Sequence, residues 1–180
     1  MKNELDIVRD LSQRLNTLGI PFLRTGSPAM SFYATPRMTR DIDFVLDLKP
    51  ADAPRLVAAL QDDYYIAMES VQSAIHLQRQ FNIIHHESVI KVDCTIRKGS
   101  EFALAESARR RPLAPGDLRT TGVTREDLII AKLAWAQRSA SQVQVKDVRN
   151  LLARDCDREY VQGWAARLGL RELLEECRRG

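Results

Sequence analysis

The sequence predicts a mixed α/β fold, in which a small twisted sheet is flanked by helices and followed by a helical C-terminal part. In short segments such as 41–48 and 89–97, apolar residues alternate with polar ones, which is the period of a half-buried strand. Elsewhere apolar residues recur at three- and four-residue intervals, the period of an amphipathic helix. Beyond residue 125 only the helical spacing is found, so we expect strands and helices in the first two thirds and helices alone thereafter.

The first elements are predicted from the spacing of apolar residues and from the glycine, serine and proline residues at their ends. A helix is predicted over 4–18, and Gly19 is a typical residue to end it. A short strand over 20–24 then runs into Gly26. Ser27 and Pro28 favour the start of a short helix over 29–33, because serine caps helix N-termini and proline suits the first turn.

The remaining elements are predicted from the same periodicities. They are a strand over 41–48, a helix over 50–60, strands over 81–86 and 89–97, a helix over 100–110, a turn-rich connection over 112–122 that includes room for a strand, and helices over 125–138, 143–154 and 158–177. We group these elements into a core over 1–122 and a C-terminal helical part over 123–180. Trp135 and Trp164 occupy helical positions among apolar neighbours, so both are expected in the core.

Composition narrows the class of protein. The chain has 180 residues, of which 44% are apolar and 28% charged, which excludes disordered and fibrous classes. The chain has three cysteines, an odd number, and no two of them have C-x-x-C spacing, so neither a disulfide framework nor a zinc site is expected. We expect a cytoplasmic location, where cysteines stay reduced. The N-terminus is charged from its second residue and the longest apolar stretch, 128–136, is interrupted by Lys132. We therefore expect neither a signal peptide nor a membrane span.

The net charge of +3 is unevenly distributed. Residues 1–90 carry 9 basic and 11 acidic side chains, whereas residues 91–180 carry 18 and 13. The second half can attract a phosphate-rich partner. Within it, the run from Arg109 to Arg111 lies at a predicted helix end, where cations are favourable, and it can also bind a nucleic-acid backbone.

Two aspartates on one strand form the first candidate site. Asp41 and Asp43 belong to the alternating segment 41–48, and a spacing of two places both carboxylates on the same face of a strand. Carboxylates this close repel each other unless a cation lies between them, and hard oxygen ligands suit Mg²⁺ or Mn²⁺. A second D-x-D, at Asp155 and Asp157, lacks the strand context. A solvated strand face is the alternative interpretation of Asp41 and Asp43.

The second candidate site is the turn at Gly26 and Ser27. A glycine between a strand and a helix lets a phosphate approach the backbone, and the N–H groups at a helix start attract anions. The Ser27 hydroxyl can add a donor. An ordinary turn with a serine cap is the alternative.

Together these motifs resemble a known family. Gly26-Ser27, a short helix, the run Arg37-Met38-Thr39-Arg40 and then Asp41-Ile42-Asp43 resemble the nucleotidyltransferase superfamily typified by DNA polymerase beta. Within it, the stretch is most similar to the small prokaryotic members, the AbiEii-type toxins and related proteins. The runs Arg125–Leu133 and Lys146–Leu151 are similar to their E-D-L and K-D segments, so the resemblance covers about residues 1–155.

The resemblance implies a role for each matching residue. Gly26 and Ser27 match the segment that grips phosphates, and Asp41 and Asp43 match the metal-binding pair. Asp93, on the strand over 89–97, is placed like the family's third carboxylate, which lies near the acceptor. Two further matches are Lys132 and Asp147, which the toxin branch uses near the nucleotide, and Arg40 or Lys132 is expected to neutralise phosphate charge.

The implied activity is metal-dependent transfer of a nucleoside monophosphate from a nucleoside triphosphate, with Mg²⁺ or Mn²⁺ bound by Asp41, Asp43 and Asp93. The implied acceptors are an RNA 3′ end, a side chain of a partner protein or a small molecule, and the implied setting is a toxin–antitoxin or phage-defence system. The helices over 125–177 can supply a dimer face.

Two other functions stay open. The chain can be an interaction module that keeps the fold without turnover, because fold does not guarantee function. It can also be an antibiotic-modifying nucleotidyltransferase, which would need an acidic pocket for a cationic drug. Asp47, Asp62 and Asp63 are the candidates for such a pocket.

Overall fold

The computed structural model describes residues 2–30, 32–33, 42–114 and 117–179, and within these ranges a seven-stranded sheet lies between two layers of helices. The strands are β1 (Phe22–Arg24), β2 (Ile42–Leu46), β3 (Tyr64–Tyr65), β4 (Gln80–His85), β5 (Lys91–Ile96), β6 (Arg111–Ala114) and β7 (Asp117–Gly122). Their order is β3-β4-β5-β2-β1-β7-β6, with β2 parallel to β5 and β1 parallel to β7. The other neighbouring pairs are antiparallel.

The helices lie on both faces of this sheet. They are α1 (Glu4–Leu18), α2 (Gly26–Met30), α3 (Ala53–Leu60), α4 (Met68–Leu77), α5 (Glu101–Ala108), α6 (Arg125–Ser139), α7 (Gln142–Leu152), α8 (Arg158–Arg167) and α9 (Arg171–Arg179), with a 3-10 turn at Pro50–Asp52. The predicted α/β class and the helical C-terminal part are confirmed. Within the described ranges, no helix is both long and apolar enough to cross a membrane.

Helix α1 has the bounds that the sequence predicts. The Asn3 side chain accepts from the Asp6 backbone N–H and the Asp6 carboxylate accepts from the Asn3 N–H, each at 3.0 Å, which satisfies two N–H groups at the helix start. Gly19 ends the helix with φ +68°. The apolar face of α1 packs on one side of the sheet and forms one core together with α3 and α4.

The side chains of β2 alternate between the two faces of the sheet. Ile42, Phe44 and Leu46 are buried in the core beneath α1, whereas Asp43 and Val45 are half-buried on the opposite face. Because β2 and β5 are parallel and in register, Asp43 lies beside Asp93. The two carboxylates therefore share the face of the sheet opposite the core beneath α1, as the alternation in the sequence predicts.

The second core lies under the C-terminal helices. It contains Leu23 of β1, α2 and the inner faces of α6 to α9, and Trp164 is buried there as expected. The expectation for Trp135 is wrong, because its side chain is 50% exposed. At this position α6 faces an open cleft rather than another helix, and helical periodicity does not reveal which neighbour a face meets.

The structure differs from the predicted elements at three places. Neither β3 nor α4 was predicted, and β3 has only two residues, which is too short to show a period. The segment 158–177 forms two helices because Gly169, at φ +69°, ends the first of them. Helix α2 begins at Gly26, before the Ser27 cap that we expected.

The turn between β4 and β5 contains a strained residue. Val89 has φ +54° and is 74% exposed, although it was expected to begin the strand. A left-handed backbone costs a β-branched residue about 1–2 kcal/mol, whereas asparagine tolerates it better. We expect Val89→Asn to raise the free energy of unfolding by about 1 kcal/mol in urea denaturation. A loss of stability would contradict this assignment of strain.

Candidate active site

A cleft of about 610 Å³ lies between the sheet and the C-terminal helices. Its volume falls within the range of about 300–1,000 Å³ that is typical of small-molecule sites. The sheet side is formed by Gly26, Asp43 and Thr95, and the helical side by residues of α5 and α6 together with the turn between α8 and α9. The cleft is thus bounded by the sheet on one side and by helices that follow β5 on the other.

Gly26 and Asp43 are in direct contact at the sheet side of this cleft. Gly26 has φ +72°, and a Cβ atom added to it would overlap the Asp43 carboxylate, with only 2.8 Å to the carboxyl carbon. The Thr25 N–H donates to the Asp43 backbone oxygen at 3.3 Å, which fixes the turn against β2. Glycine is therefore required here for two reasons, the left-handed backbone and the space that the carboxylate fills.

Asp93 extends this arrangement by one strand. It lies in register with Asp43 on the neighbouring parallel strand, where Cα atoms are spaced by about 4.8 Å. Lys91 Nζ lies 3.0 Å from Asp93 Oδ1, and the Asn82 amide can donate to the same oxygen at 2.8 Å. Asp93 therefore lies among polar side chains beside Asp43.

Lys132 reaches the cleft from α6, and two of its hydrogen bonds lie in the helical layer. Its Nζ donates to Asp147 Oδ2 at 2.7 Å and to Gln144 Oε1 at 3.0 Å, both on α7. The side chains of Lys132 and Asp147 are 2% and 4% exposed. Lys132 and Asp147 thus form a buried ion pair that joins α6 to α7. Lys132 also lines the cleft.

The donor set on the sheet fits a divalent cation. Mg²⁺ is commonly held by one or two carboxylates together with the phosphates of a substrate, and Asp43 and Asp93 are two oxygen donors on adjacent strands. Among the described residues, three or more His, Cys, Asp and Glu side chains do not come together in a metal-binding group. Asp41 lies outside the described residues, so the predicted set of three carboxylates is represented there by Asp43 and Asp93.

Solved structures share this architecture. An antigenic nucleotidyltransferase-like protein from Paracoccidioides brasiliensis is 17% identical, and the match covers 95% of this chain and 89% of that one with a TM-score of 0.57. The antibiotic-resistance factor ANT(2'')-Ia is 12% identical, with coverage of 96% and 94% and a TM-score of 0.58. The fold is that of nucleotidyltransferase-like proteins. The sequence matches no family model and no curated protein.

Some predicted site residues of this nucleotidyltransferase-like fold are not described. Arg40 and Asp41 lie outside the described residues, and so does the side chain of Ser27. Asp47 and Asp63, candidates for an acidic drug pocket, are instead ion-paired with arginines, Asp47 with Arg97 at 2.9 Å and Asp63 with Arg14. With Asp62, they do not belong to the described lining of the cleft.

The cleft also contains residues that the sequence analysis did not assign to a functional site. Glu106 of α5 lines it and is 8% exposed, and Trp135 lines it from α6. The helical period of α6 could have indicated that Trp135 lies at the cleft. Trp135 is three residues after Lys132 and is therefore on the same face of the helix. Nothing in the pattern around Glu106 distinguishes it from a surface glutamate.

The junction of α5, α6 and α8 is held by Asp127, which is fully buried. Its carboxylate accepts from Thr124 Oγ1 at 2.6 Å and from the Tyr160 hydroxyl at 2.7 Å, and Arg109 Nε lies 3.4 Å away. The Arg109 guanidinium also stacks on the Tyr160 ring at 3.9 Å from its centroid. The first arginine of the basic run therefore has a structural partner.

Proposed function

We propose that this protein is a metal-dependent nucleotidyltransferase that transfers a nucleoside monophosphate from a nucleoside triphosphate to an acceptor hydroxyl. The observation that carries the proposal is the contact between Gly26 and Asp43 at the wall of the cleft, with Asp93 in register beside it. This contact brings a backbone that a phosphate can approach next to carboxylates that bind cations.

The proposed reaction is a displacement at the α-phosphorus. The acceptor oxygen forms a bond to this phosphorus, the bond to the bridging oxygen breaks, and pyrophosphate leaves with the electron pair. The acceptor's proton passes to the Asp93 carboxylate, and the turn at Gly26 and Ser27 holds the terminal phosphates. Arg40 or Lys132 stabilises the negative charge that develops on the leaving group.

Asp41, Asp43 and Asp93 are the proposed ligands of Mg²⁺ or Mn²⁺. The bound ion supplies Lewis-acid polarisation of the phosphate oxygens. Asp43 lies directly against Gly26, so its carboxylate is beside the turn that is proposed to hold the phosphates.

The finer features of the proposal concern the biological setting. We assign the protein to an AbiEii-like role in a toxin–antitoxin or phage-defence system of the cytoplasm, with an RNA 3′ end, a protein side chain or a small molecule as acceptor. Residues 1–122 act as the catalytic core and 123–180 as the helical part that closes the cleft. The helices of this part are also the proposed dimer face.

Asp43→Asn tests the proposal. We expect the wild-type protein to bind nucleoside triphosphates only with Mg²⁺ or Mn²⁺ present, and to release pyrophosphate when a cell extract supplies acceptors. The variant keeps the size of the side chain but removes its charge, so metal-dependent binding should fall below detection in calorimetry. Release of labelled pyrophosphate should fall with it.

Asp155→Asn is the matched control. Asp155 belongs to the second D-x-D, which lies in the exposed loop between α7 and α8, so this variant should bind and react like the wild type. Unchanged nucleotide binding by Asp43→Asn would refute the site assignment. A wild-type protein that binds nucleotide but releases no pyrophosphate with any extract would instead be an inert interaction module.

A further inference from the structure

A second cavity, of about 380 Å³, lies among the C-terminal helices and shares no described lining residue with the cleft. Its described lining comes from three helices and consists of Arg149, Leu152 and Ala153 of α7, Arg158 of α8, and Cys177 and Arg178 of α9. Three of these side chains are arginines, one from each helix, and none of the described lining is acidic. One concave site is therefore bounded by positive charge from three directions along the chain.

Two of the three arginines have no acidic partner. Arg149 and Arg158 are exposed, and within the described part of the chain neither guanidinium forms an ion pair or a hydrogen bond. Other exposed arginines are paired, Arg55 with a carboxylate at 3.4 Å and Arg167 with one at 3.0 Å. The two guanidinium groups at the cavity are thus available to a ligand.

The third arginine is only partly satisfied. Arg178 Nη1 donates to Glu175 Oε1 at 2.8 Å, on the same helix. Its Nη2 is buried and has no hydrogen-bond partner among the described residues. A buried N–H group without an acceptor costs free energy, and Arg178 lines the cavity, so an acceptor oxygen bound there can pair with it.

The acidic groups near this cavity are few and already engaged. Glu175 pairs with Arg178, and Asp157, which precedes Arg158, accepts from the Tyr160 N–H as the cap of α8. On α9, burial raises the pKa of Cys177, an effect that Arg149 opposes and Glu176 reinforces. The charge of Arg149 therefore reaches α9, where Arg178 follows Cys177.

The chemistry of the cavity suits a phosphate group. Guanidinium groups present planar pairs of N–H donors that match phosphate oxygens, and a phosphoester carries up to two negative charges and three acceptor oxygens. A single carboxylate would leave most of this positive charge unbalanced. The volume lies in the range typical of small-molecule sites, so the cavity has room for the group that the phosphate is attached to.

We propose that Arg149, Arg158 and Arg178 form a second anion site, which binds the phosphate group of a phosphoester. This site is additional to the proposed nucleotidyltransferase function and does not rest on it. The phosphate belongs either to a small phosphorylated ligand or to the backbone of a nucleic acid.

Amide NMR of the full chain tests the site without nucleotide or metal. Inorganic phosphate should cause saturable shifts at Leu152, Ala153 and Cys177, beyond those caused by chloride at the same ionic strength. Hydrogen bonds between charged groups are worth a factor of roughly ten or more in affinity, and less where water screens them. We therefore expect Arg149→Gln and Arg158→Gln each to weaken phosphate binding at least about fivefold.

Arg171→Gln is the matched control. Arg171 is exposed on the same helix as Arg178, but it lines a different cavity, so its loss should change the phosphate affinity less than about twofold. Arg149 and Arg158 have no partner to lose, and their variants should melt at the temperature of the wild type or slightly above it. Added phosphate should raise the melting temperature of the wild type but not that of the double variant Arg149→Gln with Arg158→Gln.

A ten-nucleotide oligouridylate without terminal phosphates distinguishes the two sources. If the ligand is a nucleic-acid backbone, the oligonucleotide should bind at least about tenfold more tightly than phosphate in fluorescence anisotropy. Each arginine variant should then reduce the slope of log affinity against log salt concentration by about 0.7. If the ligand is a small phosphoester, phosphate binding should depend on the arginines, whereas oligonucleotide affinity should be the same in all variants.

Two results would overturn the proposal. One is a phosphate titration whose shifts match those of chloride, or are confined to the cleft around Gly26 and Lys132. The other is an unchanged phosphate affinity in the double variant. Because neither nucleotide nor Mg²⁺ is present, these results do not depend on whether the chain transfers nucleotides, and loss of activity in Asp43→Asn leaves this site unaffected.

Discussion

Gly26→Ala should disable the site while leaving a folded protein. The new methyl group would overlap the Asp43 carboxylate and would also force alanine into φ +72°. The backbone strain costs about 1–2 kcal/mol and the overlap a further 1–3 kcal/mol, roughly. The overlap is relieved by moving Asp43, and a displacement of 1 Å in such a site can reduce turnover by about a hundredfold. Urea denaturation measures the first effect, and pyrophosphate release the second.

Gly19→Ala is the matched control for this substitution. Gly19 has nearly the same backbone angle, φ +68°, but a Cβ atom there would meet nothing within 4 Å. It should therefore show the strain of about 1–2 kcal/mol alone, with nucleotide binding unchanged. If the two variants lost stability and activity equally, the contact between Gly26 and Asp43 would have no special role in the site.

The difference between these two glycines shows how far sequence reasoning reaches. Both end or begin a helix, and their local sequences predict a turn equally well. The proximity of Gly26 to Asp43 depends on the pairing of β1 with β2, which brings residues about 20 positions apart into contact. The sequence motif suggested that Gly26 and Asp43 serve one site, but only the register of the sheet shows that they pack against each other.

Most of the elements were predictable because their apolar residues follow the period of a helix or of a strand. The bounds of α1 and the face of β2 follow from apolar spacing and capping residues. Trp135 and Glu106 were missed or misplaced for the opposite reason, since their environment is decided by the gap between two layers of structure. A half-exposed tryptophan and a buried glutamate both depend on which neighbours the fold brings to α5 and α6.

Lys132→Met should be the most destabilising single substitution at this site. It leaves the Asp147 carboxylate, which is 4% exposed, without the ammonium 2.7 Å away. Breaking a buried ion pair from one side costs about 3–5 kcal/mol, because the remaining carboxylate loses the ammonium that balances its charge. The free energy of unfolding in urea should fall by that amount, and raising the salt concentration should not reproduce the loss, since buried pairs are poorly screened.

The double variant Lys132→Met with Asp147→Leu separates charge from packing. Replacing both partners of a buried ion pair by apolar residues is often nearly neutral, so the double variant should recover most of the stability that Lys132→Met loses. Additive losses from the two single substitutions would instead show that the pair is not coupled. Because the double variant should be folded, its nucleotide affinity reports whether Lys132 also binds phosphate. A marked drop in affinity would assign that role to Lys132, and an unchanged affinity would restrict the pair to joining α6 and α7.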